Sequence, residues 1–175
     1  MTQVFFIVLH KIQYIIVEHL LKILIDLKRM KFSFRAFLLT FIQYTTLPFM
    51  LWEMTWFCSN IVLLTLELLG LFIASWAIWE MQKSKLNIAP TPRKNAFLVD
   101  TGIYKWIRHP MYTSLLLVFV PMLAENINFL NISVFTVFII NLIFKLHHEE
   151  KLLLVFFEEY SEYKKKTWKM IPYIY

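Results

Sequence analysis

The residues densest in chemistry run from Gly102 to Tyr112, as Gly102-Ile103-Tyr104-Lys105-Trp106-Ile107-Arg108-His109-Pro110-Met111-Tyr112. An Arg, a His and two Tyr stand where a polar stretch gives way to an apolar one. Pro110 suits the first turn of the following helix, where the N–H it lacks would have no partner. The free N–H groups and positive dipole end of that helix then lie beside Arg108 and His109, which favours an anion. A basic and aromatic anchor at a membrane interface uses the same residue types.

The second group is Lys145 with His147-His148-Glu149-Glu150. Lys145 and Glu149 share one helix face, as an ordinary surface pair would. Lys145, however, closes an apolar run, and ionisable groups at that depth are usually paired or functional. His147 and His148 are neighbours and point to different faces, so no shared metal is expected. Cys58 is the only cysteine, which leaves no intrachain disulfide framework and no cysteine-based zinc site.

The elements that carry these groups follow from composition. Of 175 residues, 59% are hydrophobic, 18% aromatic and 17% charged. Charged residues make up roughly 25% of an ordinary soluble domain. A chain this short cannot hide so much apolar surface in its own interior, so an all-α integral membrane protein is expected. Ala36–Phe57, Asn60–Trp79 and Phe129–Leu146 are apolar enough to span, and Met111–Leu123 is apolar but short. The polar turn Ala124-Glu125-Asn126-Ile127-Asn128 makes the last two an antiparallel hairpin. Val4–Leu27 is apolar on average, but Lys11, Glu18 and Lys22 share one face. It is either a further span with its polar face turned into the bundle, the favoured reading, or an interfacial helix. The count is therefore four to five spans. Lys11 interrupts the apolar start and no small-residue cleavage site follows, so a cleavable signal peptide is not expected.

Basic residues alternate between connections. Lys28, Arg29, Lys31 and Arg35 precede the Ala36 span, while the connection around Ser59 has none. Lys83, Lys85, Arg93, Lys94, Lys105 and Arg108 fill the next connection, and the turn around Asn126 again has none. The tail carries Lys151, Lys164, Lys165, Lys166 and Lys169. The positive-inside rule puts the basic connections and the C-terminus in the cytoplasm, of a bacterial inner membrane or an endoplasmic reticulum. It also explains the net charge of +6 without nucleic acid. One membrane domain, 1–175, is expected, with N-terminal spans in 1–81 and the working half in 82–175. In that half, Pro90, Pro92 and Gly102 rule out a single helix between Gln82 and Pro110. Beyond Leu146 the last span should continue as a helix, with a short amphipathic helix behind it.

At these residues the chain resembles the isoprenylcysteine carboxyl methyltransferase family and its phospholipid methyltransferase relatives. The resemblance is carried, in order, by Gly102-Ile103-Tyr104, Arg108-His109-Pro110-Met111-Tyr112, Glu149-Glu150, Phe156-Phe157-Glu158-Glu159-Tyr160-Ser161-Glu162-Tyr163 and Ile171-Pro172. It covers about the C-terminal half. It implies S-adenosylmethionine as methyl donor, held in a cytoplasmic pocket by Ala96, Phe97, Leu98, Val99, Tyr104, His109, Pro110, Met111, Tyr112 and Glu149. Lys145 stands where the family has a substrate-contacting Arg, and Arg108 joins it on the substrate side. No acid–base residue is implied, because a carboxylate is already a nucleophile and positioning and desolvation dominate. In this chain Ser114 replaces a family Gly, and the Gly expected after Phe157 is missing.

The resemblance implies a lipophilic or lipidated acceptor that enters from the bilayer, with membrane lipids as its surroundings. Carboxyl methylation of an isoprenylcysteine-like acceptor leads, and amine methylation of a phospholipid headgroup follows. A membrane sterol or enone reductase and a non-enzymatic membrane scaffold are the remaining alternatives. Neither the acceptor nor the oligomeric state follows from the residues.

Overall fold

The computed structural model describes residues 34–83 and 98–173. The segment Val4–Leu27, together with Ala96 and Phe97, lies outside the described residues. All contacts below fall within the compact unit Leu38–Tyr175.

The described chain is helical, with five α-helices: α1 Phe34–Glu53, α2 Ile61–Lys83, α3 Pro110–Glu125, α4 Phe129–Phe156 and α5 Tyr160–Lys166. A single 3-10 turn, Gly102–Lys105, precedes α3. By length and composition α1, α2 and α4 can cross a membrane, while α3 is a shorter apolar helix. Their outer faces carry exposed Leu68, Phe72, Ile140 and Phe144. Apolar faces of this extent belong against lipid, and the protein is an integral membrane protein.

The helix ends explain where the apolar runs stop. α1 ends at Glu53, before the Phe57 that hydropathy suggested, because the chain must turn to reach the cap of α2. Asn60, counted by hydropathy within the second span, is that cap: its Oδ1 accepts from Val62 N at 2.9 Å. Asn128 does the same for α4, accepting from Asn131 N at 2.8 Å. The connection Met54–Asn60 is stitched to the α3–α4 turn. Glu125 accepts from Ser59 N and Asn60 N at 2.8 and 2.7 Å, and Asn126 Nδ2 donates to Thr55 Oγ1 at 2.8 Å.

The core lies between α1, α3 and α4. Met50, Met54, Phe119, Met122, Phe138, Leu142 and Leu146 fill it, with Met170 of the tail. On its other side α3 packs closely on α2. Gly70 allows this, since a Cβ there would stand 2.9 Å from Leu117 Cβ and 3.0 Å from Ser114 O. The room at this crossing therefore comes from Gly70.

A second contact line joins α1 to α4. Asn141 Nδ2 donates to Leu39 O at 3.0 Å, and one turn further along both helices Lys145 Nζ donates to Gln43 Oε1 at 2.5 Å. Polar groups on apolar helices find partners across the helix interface, where no water competes.

Candidate functional site

The site is built from the chain before α3, the end of α4 and the tail. Gly102 has φ 57°, and a Cβ on it would come within 2.6 Å of the Glu80 carboxyl carbon. Only glycine takes this conformation and this approach without strain. Thr101 Oγ1 donates to Glu80 Oε2 at 3.0 Å, so α2 grips the start of the 3-10 turn. The turn buries Ile103 and Tyr104 against Ala77 and Val99. Burial pushes the Tyr104 hydroxyl above its ordinary range, with Tyr163, Glu149 and Glu80 adding to it. Tyr104 therefore stays a neutral phenol.

The tail straps the next four residues. Trp168 N donates to Trp106 O at 3.0 Å, Arg108 N to Trp168 O at 2.8 Å, and His109 N to Lys169 O at 2.9 Å. Tyr163 Oη donates to Tyr104 O at 2.7 Å, and Thr113 Oγ1 to Met170 O at 2.7 Å. Backbone that would be left bare at the mouth of α3 is thus paired, as buried polar groups require.

Arg108 is at the centre of this strap. Its Nε donates to Glu150 Oε1 at 2.9 Å. Its Nη1 donates to Lys164 O at 3.0 Å, to Thr167 Oγ1 at 3.2 Å, and also to Thr167 O. Lys164 Nζ lies 3.6 Å and Lys169 Nζ 4.0 Å from Glu150 Oε2. Glu150 is thus a buried carboxylate surrounded by cations from three segments. The guanidinium of Arg108, expected on the substrate side, is engaged by this network.

One helix face away lies a different group. Tyr112 Oη donates to Glu149 Oε2 at 2.7 Å. Lys145 Nζ is 3.8 Å from Glu149 Oε1 and 5.9 Å from the centre of the Tyr112 ring. His109 stacks on Tyr112, with centroids 5.5 Å apart and planes 7° from parallel. Its Nε2 stands 3.6 Å from Glu150 Oε1, beyond hydrogen-bond reach. His109 Nε2 and Tyr104 Oη are buried without a hydrogen-bond partner among the described residues. Such atoms ask for a ligand or water.

Of the residues expected at the site, the structure gathers His109, Tyr112, Lys145 and Glu149 into this cluster. Tyr104 and Met111 pack with Val99 against α2, and Leu98 is half-buried. Pro110 is buried at the first position of α3. Sequence reasoning missed Glu150, Glu80 and Gln43. Glu80 and Gln43 were visible as polar groups on apolar helices, and Glu150 as the neighbour of Glu149. The missing glycine after Phe157 leaves no strain. Phe157 is extended and Glu159 helical, and positive φ occurs only at Gly102 and Tyr173 among the described residues.

The family model described as phospholipid methyltransferase matches residues 58–160, more than half of the chain. The protein belongs to the phospholipid methyltransferase family. The matched stretch holds α2, α3 and α4, and within it every residue of the cluster except Gln43. The chain is also similar to the protein-S-isoprenylcysteine O-methyltransferase of Saccharomyces cerevisiae, at 33% identity over 113 residues. That match covers 62% of this chain and 47% of the yeast protein, so the chain spans about half the length of that curated relative. Membership of this family makes methyl transfer the chemistry against which the cluster is read.

Proposed function

We propose that the protein is an integral-membrane methyltransferase that uses S-adenosylmethionine to methylate a lipophilic acceptor, with the carboxylate of an isoprenylcysteine-like molecule as the leading choice. The observation that carries this reading is the Tyr112–Glu149–Lys145 cluster, where an anion and a cation stand 3.8 Å apart at the end of an apolar helix. The donor bears a carboxylate, an ammonium and a sulfonium, so groups of both signs are needed. The residues fit: Glu149 offers the anion, and His109 Nε2 and Tyr104 Oη, which lack a hydrogen-bond partner among the described residues, offer polar contacts beside the N-terminus of α3.

In this reading Glu149 receives the donor's ammonium, and His109 with the start of α3 receives its carboxylate. When bound, the donor would supply an electrophilic methyl group: the acceptor oxygen would bond to that methyl carbon to give the ester, and the breaking C–S bond would leave its electron pair on sulfur as a neutral thioether. Lys145 holds and orients the acceptor anion. Tyr112 fixes the Glu149 carboxylate, and the stacked His109–Tyr112 pair keeps water from one side. Arg108 and Glu150 hold the strap that positions His109 and do not touch the acceptor. Positioning and exclusion of water are what such a site supplies. The alternating basic connections favour the cytoplasmic side for it, and in this reading the acceptor arrives through the bilayer.

The name of the matching family favours a second reading, amine methylation of a phospholipid headgroup. One experiment separates the two. Purified protein is given donor labelled in its methyl group, with N-acetyl-S-farnesylcysteine or dioleoylphosphatidylethanolamine as acceptor. A carboxyl methyl ester releases its label as methanol in alkali, whereas an N-methyl group keeps it. Alkali-labile label on the farnesylcysteine is expected. Label only on the phospholipid would move the assignment to the second reading, and binding of a nicotinamide cofactor in place of the donor would overturn both.

A further inference from the structure

Gln43 lies on α1, outside the stretch that matches the family, yet its side chain meets Lys145 at the centre of the cluster. An ammonium has only donors, so the Gln43 carbonyl is the end that faces Lys145. The amide nitrogen of the same group is bonded to the same carbon and lies about 2.3 Å from that oxygen. With Nζ 2.5 Å from Oε1, two different donors, Lys145 Nζ and Gln43 Nε2, lie within about 5 Å of each other. Gln43 Oε1 satisfies one of the three Lys145 donors. Glu149 Oε1, at 3.8 Å, is too far to take a second as a hydrogen bond. Among the described residues the pair thus keeps spare donors on two groups, one charged and one neutral.

We propose that Gln43 is an acceptor-recognition residue, forming with Lys145 a two-pronged receptor for an anionic head group that offers two oxygens on one atom. The inference rests on the acceptor reading above and deepens it. Lysine by itself is a point charge and lacks the fork with which arginine grips a carboxylate. An amide from another helix, held in place by that lysine, supplies the second prong. The anion is a carboxylate or a phosphate monoester, which share this chemistry.

The plainer role for Gln43 is to tie α1 to α4, as Asn141 does one turn away through Leu39 O. The two roles make opposite predictions. If Gln43 only ties the helices, replacing it with the similarly sized Met leaves Lys145 charged and frees a donor, so selectivity for an anion stays or rises. If Gln43 supplies a prong, that selectivity falls.

The test is binding by the full chain in dodecyl maltoside, using N-acetyl-S-farnesylcysteine, its methyl ester and oleoyl lysophosphatidic acid as probes. The wild-type protein should prefer the free acid to the ester by about 10-fold or more, the scale of hydrogen bonds to a charged group. Gln43→Met should cut that ratio to about 3-fold or less. Asn141→Leu should lower the melting temperature and leave the ratio unchanged. An unchanged ratio in Gln43→Met, or no preference in the wild type for either anionic probe, overturns the inference. Gln43-dependent binding of lysophosphatidic acid with none of the farnesylcysteine keeps the receptor and makes its anion a phosphate. Gln43-dependent preference without methyl transfer to the farnesylcysteine keeps the receptor and sinks the carboxyl-methylation reading, so the two failures are distinguishable.

Discussion

Glu149 and Glu150 are adjacent in sequence and meet different sets of partners. Glu149 accepts from Tyr112 and faces Lys145, while Glu150 is buried against Arg108 and the tail lysines. An α-helix turns about 100° per residue, so the two carboxylates leave α4 in different directions, and His109, stacked on Tyr112 and 3.6 Å from Glu150 Oε1, stands between them. The first carboxylate lies with Tyr112 and Lys145, and the second ties α4 to the tail.

Donor binding should therefore depend on Glu149 and not on Lys145. Truncating one member of a buried charge pair costs about 2–5 kcal/mol. Glu149→Ala should weaken S-adenosylmethionine by roughly 30-fold or more on that scale. Lys145→Ala should mainly raise the KM of the acceptor and leave donor affinity nearly intact. Calorimetric titration of donor into both variants decides; the reverse pattern would show that the two roles are exchanged.

Glu150→Ala should act on stability instead. It leaves the Arg108 guanidinium buried without its carboxylate, a loss of about 3–5 kcal/mol. The strap from Tyr163 to Met170 should loosen, making the tail an early site of protease cleavage. The double variant Arg108→Met, Glu150→Leu should recover much of the melting temperature, because an apolar pair has no charge to desolvate. A double variant no more stable than Glu150→Ala would argue against the pair as the source of the loss.

Tyr112→Phe removes one hydroxyl and keeps the ring that stacks on His109. A hydrogen bond to a charged group contributes about 1.5–3 kcal/mol, so kcat/KM for methyl transfer should fall by about 10-fold or more. The melting temperature should fall as well, because the same bond is made in the folded protein before any ligand binds. A variant with wild-type turnover would remove Tyr112 from the positioning of Glu149.

Cys58 should be slow to alkylate. Burial, and then the carboxylates of Glu67 and Glu125, push its thiol up from 9.0 to about 11. A raised thiol value means the neutral form persists below it, so at pH 8 the thiolate is about 100-fold scarcer than for an ordinary cysteine. Reaction with iodoacetamide should be slow at pH 8, accelerate up to about pH 11, and become ordinary in denaturant. Rapid modification of the native protein at pH 8 would contradict this environment for Cys58.

Much of this protein is written in local sequence. Runs of apolar residues long enough for a bilayer mark α1, α2 and α4, because helix length and hydropathy are properties of a segment by itself. Pro110 marks the start of α3 and Asn128 the cap of α4 for the same reason. The clustered residues His109, Tyr112, Lys145 and Glu149 were legible as a candidate set, since they follow the order of motifs in a family the chain resembles. Their grouping in space, and the choice between Glu149 and Glu150, were decided by the tertiary structure. The turn of α4 assigns each carboxylate a face, and only packing determines what waits on that face. Arg108 reads as a site residue in sequence because it is basic and next to His109. In the fold its partners are Glu150 and the backbone of a tail far along the chain. Gln43 is the clearest case: it meets Lys145 across 102 positions. No local pattern reports that distance, because the contact exists only once α1 lies against α4.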